Sequence, residues 1–215
     1  MFNKLPRVMA LSGVLAALMS AFVIFIAGYY QGEFSHAKSF VSELNQSGSL
    51  YASTIGYLGF VPLGLVTLFF ILGLKQTLGK TKRVTIALFF LCFSALDWLV
   101  TAFFPCDAGC PVTGDISVSQ SIHNLSGLFS TILVPVGIFL LISPLKKMKF
   151  HPLVIVFSMA SIIAYLASFV LIVGNVFEGF EGGIQRISLL FFYGYLSALS
   201  VNIYLKNNLS ANLSS

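Results

Sequence analysis

Long apolar stretches alternate with short polar ones along the whole chain. Six of these stretches hold roughly 20 residues each, enough for a helix rising about 1.5 Å per residue to cross a hydrocarbon core of about 30 Å. They are residues 8–30, 52–74, 84–104, 122–143, 153–174 and 187–205. The pattern predicts an all-α, polytopic integral membrane protein in which six transmembrane helices form a single domain over residues 1–215.

The charged residues divide between the connections of these stretches. Ten of the twelve Lys and Arg residues lie near the two termini or in the connections after the second and fourth stretches. Six of the seven acidic residues lie in the remaining connections. By the positive-inside rule, both termini are predicted to be cytoplasmic in a multi-pass protein of the cell membrane.

The amino-acid composition indicates which classes of molecule the protein is expected to bind. Hydrophobic residues make up 57% of the chain and charged residues only 9%, which leaves no room for a soluble module. The net charge of +5 is carried by basic residues at helix ends, where anionic lipid headgroups explain it better than nucleic acid does. The expected partners are membrane lipids and a possible lipid or small-molecule ligand, with no nucleic acid. The oligomeric state stays open.

The third stretch contains one carboxylate, Asp97. A charged side chain at the centre of a spanning helix costs about 2.5 to 3.5 kcal/mol, so it is expected to face the bundle interior and to have a partner. Ser94 and Thr101 share its helix face at three- and four-residue spacing. Tyr57 and Tyr193 fall at a similar depth, and their hydroxyls are candidate partners for Asp97.

Further polar residues gather at the helix ends on the same side as the acidic connections. Acid, imidazole and guanidinium groups at one membrane depth are suited to proton transfer or to anion binding. The candidate catalytic residues are Asp97, Asp107 and His123, and the candidate substrate-binding residues are Glu43, Gln185 and Arg186, the last for an anionic headgroup. The same groups would also suit a purely structural clasp, in which Arg186 pairs with Asp107 or Glu181.

Two cysteines, Cys106 and Cys110, share one acidic connection. If that connection faces an oxidising compartment, the two residues can form a disulfide. A C-x3-C spacing is a weak metal signal, and no second ligand pair accompanies it. The three histidines lie in a loop, at a helix start and at the opposite side of the membrane, so they are not expected to form a three-histidine site. The sequence therefore predicts no metal site and no cofactor.

Four motifs together resemble a known membrane family. They are Ser42-Glu43-Leu44, Ala102-x-Phe104-Pro105-Cys106-Asp107-x-Gly109, the downstream His123, and Gly182-x-x-Gln185-Arg186. This set is similar to the prokaryotic six-helix membrane family catalogued as domain of unknown function 998. The chain departs from that pattern at Cys110, a second cysteine, and at Asn45, where a glycine is usual. The resemblance implies a membrane location and a six-helix bundle, and it supplies no activity.

Three hypotheses for the function follow. The first is a polar pocket open to the outside that binds a lipid, or acts on it as an enzyme, at the outer leaflet. The second is a small transporter or proton-coupled carrier in which Asp97 titrates. The third is a membrane scaffold without catalytic activity. The polar residues lie in one half of the membrane with no matching set in the other, which favours a one-sided site over a path across the membrane.

Overall fold

The computed structural model describes residues 7–32, 34–112 and 114–212. Within these ranges six helices are long and apolar enough to span a membrane, and there is no strand. This confirms the predicted all-α, six-helix architecture. The helices are α1 (Val8–Tyr30), α2 (Ala52–Leu78), α3 (Lys82–Phe103), α4 (Val118–Lys147), α5 (Pro152–Val173) and α6 (Glu181–Asn208).

Helices α4 and α6 begin before their apolar stretches do. Helix α4 starts after Ser117, whose hydroxyl accepts a hydrogen bond from the backbone N–H of Gln120 at 3.0 Å. In the first turn of α6, the N–H groups of Gly182 and Gly183 donate to carbonyls of the loop between α1 and α2, residues 31–51, at 3.1 and 2.8 Å. Both starts satisfy N–H groups that a helix leaves without an internal partner.

The six helices form a closed ring. Each packs chiefly against its neighbours in the chain, and α6 packs against α1 to complete the circle. Small residues allow this close approach: a Cβ at Gly64 of α2 would lie 2.9 Å from the carbonyl oxygen of Ala95, and one at Gly137 of α4 would lie 2.8 Å from that of Ala87. Close backbone contact at small residues is a common way for helices to associate in membranes.

One end of the ring, here named the acidic end, consists of loops 31–51, 104–117 and 174–180. Its largest loop folds inward through a short 3₁₀ helix, Val41–Asn45, here named the cap helix. Val41 and Leu44 are fully buried, and the side-chain amide of Asn45 donates to the carbonyl of Thr101 at 2.8 Å. The cap helix therefore closes the bundle from above, with its apolar side chains in the protein core.

Candidate functional site

A cavity of about 270 Å³ lies below the cap helix, between α3, α4, α5 and α6. Its wall combines three of the six candidate residues, Asp97, His123 and Gln185. Hydroxyl groups of Ser94, Ser130, Thr131, Ser168 and Ser188 also line it. The cavity is thus a mixed polar and apolar space just inside the acidic end.

Asp97 projects from α3 and is only partly exposed. One carboxylate oxygen accepts a hydrogen bond from the hydroxyl of Ser126 on α4 at 2.7 Å. The predicted tyrosine partners do not fill this role: the hydroxyl of Tyr193 lies 3.4 Å from that of Thr67, and Tyr57 is 53% exposed. Ser126 follows His123 by three residues and so shares its helix face, a spacing that sequence reasoning could have used.

His123 sits one turn into α4 and is buried. Its Nδ1 lies 3.1 Å from the carbonyl oxygen of Phe104, the residue that follows α3. Because a carbonyl only accepts hydrogen bonds, Nδ1 carries the proton and Nε2 keeps a lone pair. The imidazole is therefore fixed in one tautomer, with a basic nitrogen available for chemistry or for a metal ion.

Gln185 connects the cavity to the cap helix. Its Oε1 accepts a hydrogen bond from the backbone N–H of Val41 at 2.7 Å. This bond joins α6 to the first residue of the cap helix, so Gln185 holds the roof of the cavity in place.

The other three candidates do not line the cavity. Asp107 lies in loop 104–117, where its Oδ2 accepts from the N–H of Ser117 at 2.9 Å. The backbone N–H and the hydroxyl of Ser117 lower the pKa of Asp107. Its own N–H donates to the buried Gln120 at 2.6 Å. Asp107 thus holds the loop in its conformation. Glu43 lies in the cap helix, where its carboxylate accepts a hydrogen bond from the backbone N–H of Phe40.

Arg186 is 4% exposed and bonds to the main chain of three segments. Its Nε donates to the carbonyl of Ile24 at 3.2 Å, and its Nη1 donates to those of Ser39 and Gly182 at 2.7 and 2.9 Å. Its guanidinium also lies 5.3 Å from the ring centre of Phe34. This arrangement joins α1, loop 31–51 and α6. The role of Arg186 in binding an anionic headgroup stays a prediction.

Cys106 and Cys110 are bonded to each other, with Cα atoms 5.0 Å apart. At the end of the turn that joins them, Gly109 and Cys110 have positive φ angles of 76° and 45°. The two sulfur atoms and one ring nitrogen of His123 all lie within 4.8 Å of one another. The sequence alone gave no reason to join the histidine to the cysteines, because 12 residues and a helix start lie between Cys110 and His123.

A family comparison agrees with the motifs at this end of the bundle. The model of the family described as "Protein of unknown function (DUF998)" matches residues 14–202. The chain belongs to this family. The match covers α2 to α5 in full and most of α1 and α6, together with the loops of the acidic end. No curated protein and no solved structure matches the chain.

Proposed function

We propose that this DUF998 protein binds one end of a membrane amphiphile in the cavity below the cap helix, at the outer leaflet. The observation that carries the proposal is the composition of the cavity wall. Its lining includes Asp97, His123 and several hydroxyl-bearing residues together with apolar side chains. A largely apolar pocket with a few convergent polar groups is the usual form of a small-molecule site.

The edge of the cavity supports entry from the bilayer. Leu128 of α4 and Phe169 and Val173 of α5 line the cavity and are 44%, 37% and 71% exposed. In a spanning helix, exposed apolar side chains face acyl chains. A Cβ at Gly127 would meet no atom within 4 Å, so the gap between α4 and α5 is open at this position.

The charged residues that line the cavity indicate which polar group the ligand carries. The described lining residues include an acid, Asp97, but neither Lys nor Arg. Arg186 is held elsewhere by carbonyl groups. A hydroxyl or amine group suits this wall better than a phosphate does, because it can donate to the Asp97 carboxylate and to the lone pair of His123.

The packing below the cavity supports a one-sided site rather than a carrier. A second cavity lies at the opposite end, between α3 and α4, and its lining includes Arg83 and Lys146. Between the two cavities, Leu91 of α3 and Ile138 and Leu141 of α4 are fully buried. Because close-packed side chains leave no room for a solute, the two cavities are separated in this conformation.

A cavity-filling substitution tests the proposal. Gly127→Leu places its Cβ in open space and is expected to occupy part of the cavity, and native mass spectrometry of mildly purified protein should show loss of co-purifying amphiphile. Ala167→Leu is the matched control, because it adds nearly the same bulk, three carbon atoms instead of four, to the exposed face of α5 outside the cavity. Equal amphiphile content in the two variants would refute binding at this site.

A second pair of variants tests the role of the carboxylate. Asp97→Asn keeps the size of the side chain and should weaken retention of hydroxyl- or amine-bearing amphiphiles. Asp97→Leu removes the polar group altogether and should abolish retention. A stable Asp97→Leu protein that keeps its normal lipid content would favour the scaffold hypothesis, because neither lipid retention nor stability would then depend on the carboxylate.

A further inference from the structure

We propose that Cys106, Cys110 and His123 bind a zinc ion when the disulfide is reduced, with one coordination position open to the cavity. The site would be a redox-dependent metal centre at the acidic end of the bundle. It does not depend on amphiphile binding.

The positions of the three ligand atoms fit a zinc ion. In a tetrahedral site with Zn–S of about 2.3 Å and Zn–N of about 2.0 Å, ligand atoms are roughly 3.5 to 3.8 Å apart. Here one ring nitrogen of His123 and the two sulfur atoms already lie within 4.8 Å of one another. Once the bond between the sulfurs is cut, rotation of the two short cysteine side chains is enough to bring all three atoms around one ion.

The tautomer of the histidine suits a metal ligand. Its Nδ1–H donates to the carbonyl of Phe104 at 3.1 Å, so the lone pair is on Nε2. A metal-binding imidazole usually donates its other N–H to a carboxylate or a backbone carbonyl, which fixes the tautomer and the ring orientation. A disulfide alone makes no use of an imidazole at this position, whereas a zinc ion does.

The loop that carries the cysteines is held by bonds that do not involve sulfur. The carbonyl of Cys106 accepts from the N–H of Ser47 at 2.8 Å, and the N–H of Gly109 donates to Gln46 Oε1 at 2.6 Å. The N–H of Cys110 donates to the carbonyl of Asp107 at 2.9 Å, which closes the turn. Reduction therefore leaves both thiols close to His123. Because the fold already restricts these residues, little further conformational entropy is lost when the metal binds.

Charge balance favours zinc in this buried setting. Reduction by a dithiol transfers two electrons and two protons to the sulfur pair, and the dithiol becomes a disulfide. Binding of Zn²⁺ then releases those two protons, because both ligands bind as thiolates. Two thiolates and a neutral imidazole exactly offset the charge of the ion, so no net charge is buried at the membrane boundary.

The fourth coordination position gives the site a chemical use. Cys110 and His123 both line the cavity, and Ser42 Oγ lies 3.5 Å from Cys110 Sγ. Three protein ligands with an open position are typical of a catalytic rather than a structural zinc site. Water or a polar group of a molecule in the cavity would occupy that position and be polarised by the ion.

Zinc loading of the whole protein tests the proposal. The purified chain in detergent, without added lipid, is reduced with a water-soluble phosphine, which takes up the oxygen of water as the two thiols form. It is then incubated with Zn²⁺ and desalted, and metal is counted by mass spectrometry. We expect one zinc per reduced chain and none in unreduced protein. Cobalt in place of zinc should give a sulfur-to-metal charge-transfer band.

Three variants locate the ligands. Cys110→Ser and His123→Ala should each lower zinc affinity by about tenfold or more. Cys92→Ser is the matched control, because Cys92 lies in α3 away from the turn, and it should load like the unaltered chain. Absence of zinc from the reduced unaltered chain would overturn the proposal, and so would full loading of His123→Ala. Both results leave the amphiphile proposal untouched, because no lipid enters the measurement.

Discussion

The same substitution at two glycines of α4 should have opposite effects on stability. At Gly137 an added Cβ would lie 2.8 Å from the carbonyl oxygen of Ala87 and 3.2 Å from the backbone nitrogen of Leu91. Those atoms belong to the backbone of α3, so the two helices must separate before the methyl group fits. At Gly127, ten residues earlier in the same helix, an added Cβ would meet nothing within 4 Å.

The magnitudes follow from these contacts. Overpacking of a close contact costs about 1 to 3 kcal/mol. Replacement of a helical glycine by alanine returns up to about 1 kcal/mol through the unfolded chain. Gly137→Ala should therefore be destabilised by roughly 0 to 3 kcal/mol, in the upper part of that range because backbone atoms cannot rotate away. Gly127→Ala should be unchanged or more stable by up to about 1 kcal/mol.

Thermal unfolding of both variants in one detergent measures the difference. We expect the Gly137→Ala protein to unfold at a lower temperature than the unaltered chain and the Gly127→Ala protein at the same or a higher temperature. A Gly137→Ala protein at least as stable as Gly127→Ala would show that α3 and α4 are farther apart than the structure places them. A Gly127→Ala protein that unfolds at a clearly lower temperature than the unaltered chain would contradict the open space at Gly127.

Three further predictions follow from the charge pattern and the acidic end. A cysteine at Gln46 should be labelled from outside intact cells and one at Lys147 should not; the reverse result would invert the predicted orientation. Mass spectrometry of unreduced protein should find the two cysteines of loop 104–117 joined, and two free thiols would contradict the disulfide. Since its bond to Ser117 lowers the pKa of Asp107, the folded state binds fewer protons there than the unfolded chain. The contribution of Asp107 to stability is thus present above its unfolded pKa and is lost as pH falls through the lower folded pKa. In a plot of stability against pH, Asp107→Asn should therefore reduce the slope on the acid side. An unchanged plot would rule this out.

Periodicity and length were sufficient to predict the six helices, because each apolar stretch must be helical to satisfy its backbone in lipid. They did not predict that the cap helix is buried. The segment reads as an amphipathic loop, and only the fold shows that Val41 and Leu44 reach the core. The helix starts at Val118 and Glu181 were also missed, because polar residues form the first turn of both helices.

The site was predictable in part. Spacing along α3 indicated that Asp97 faces inward, but its partner Ser126 lies on another helix and depends on how α3 and α4 are rotated about their axes. The histidine and the cysteines come together for a similar reason: the end of α3, the turn and the start of α4 must meet at one level. Distances between chain-distant groups follow from packing, which no local pattern encodes.

The contrast between Arg186 and Asp97 separates structural from functional polar groups in this bundle. Arg186 is almost fully buried and donates to three carbonyls from three segments. A charge held in this way joins the three segments, and its loss would remove three hydrogen bonds between side chain and main chain. Asp97 accepts one hydrogen bond from a serine and lines a cavity that nothing in the described chain fills. An intramembrane acid is costly to insert, and the hydroxyl of Ser126 satisfies only part of its capacity to accept hydrogen bonds. The remaining capacity faces the space where we place the ligand, so the acid is the group to mutate first.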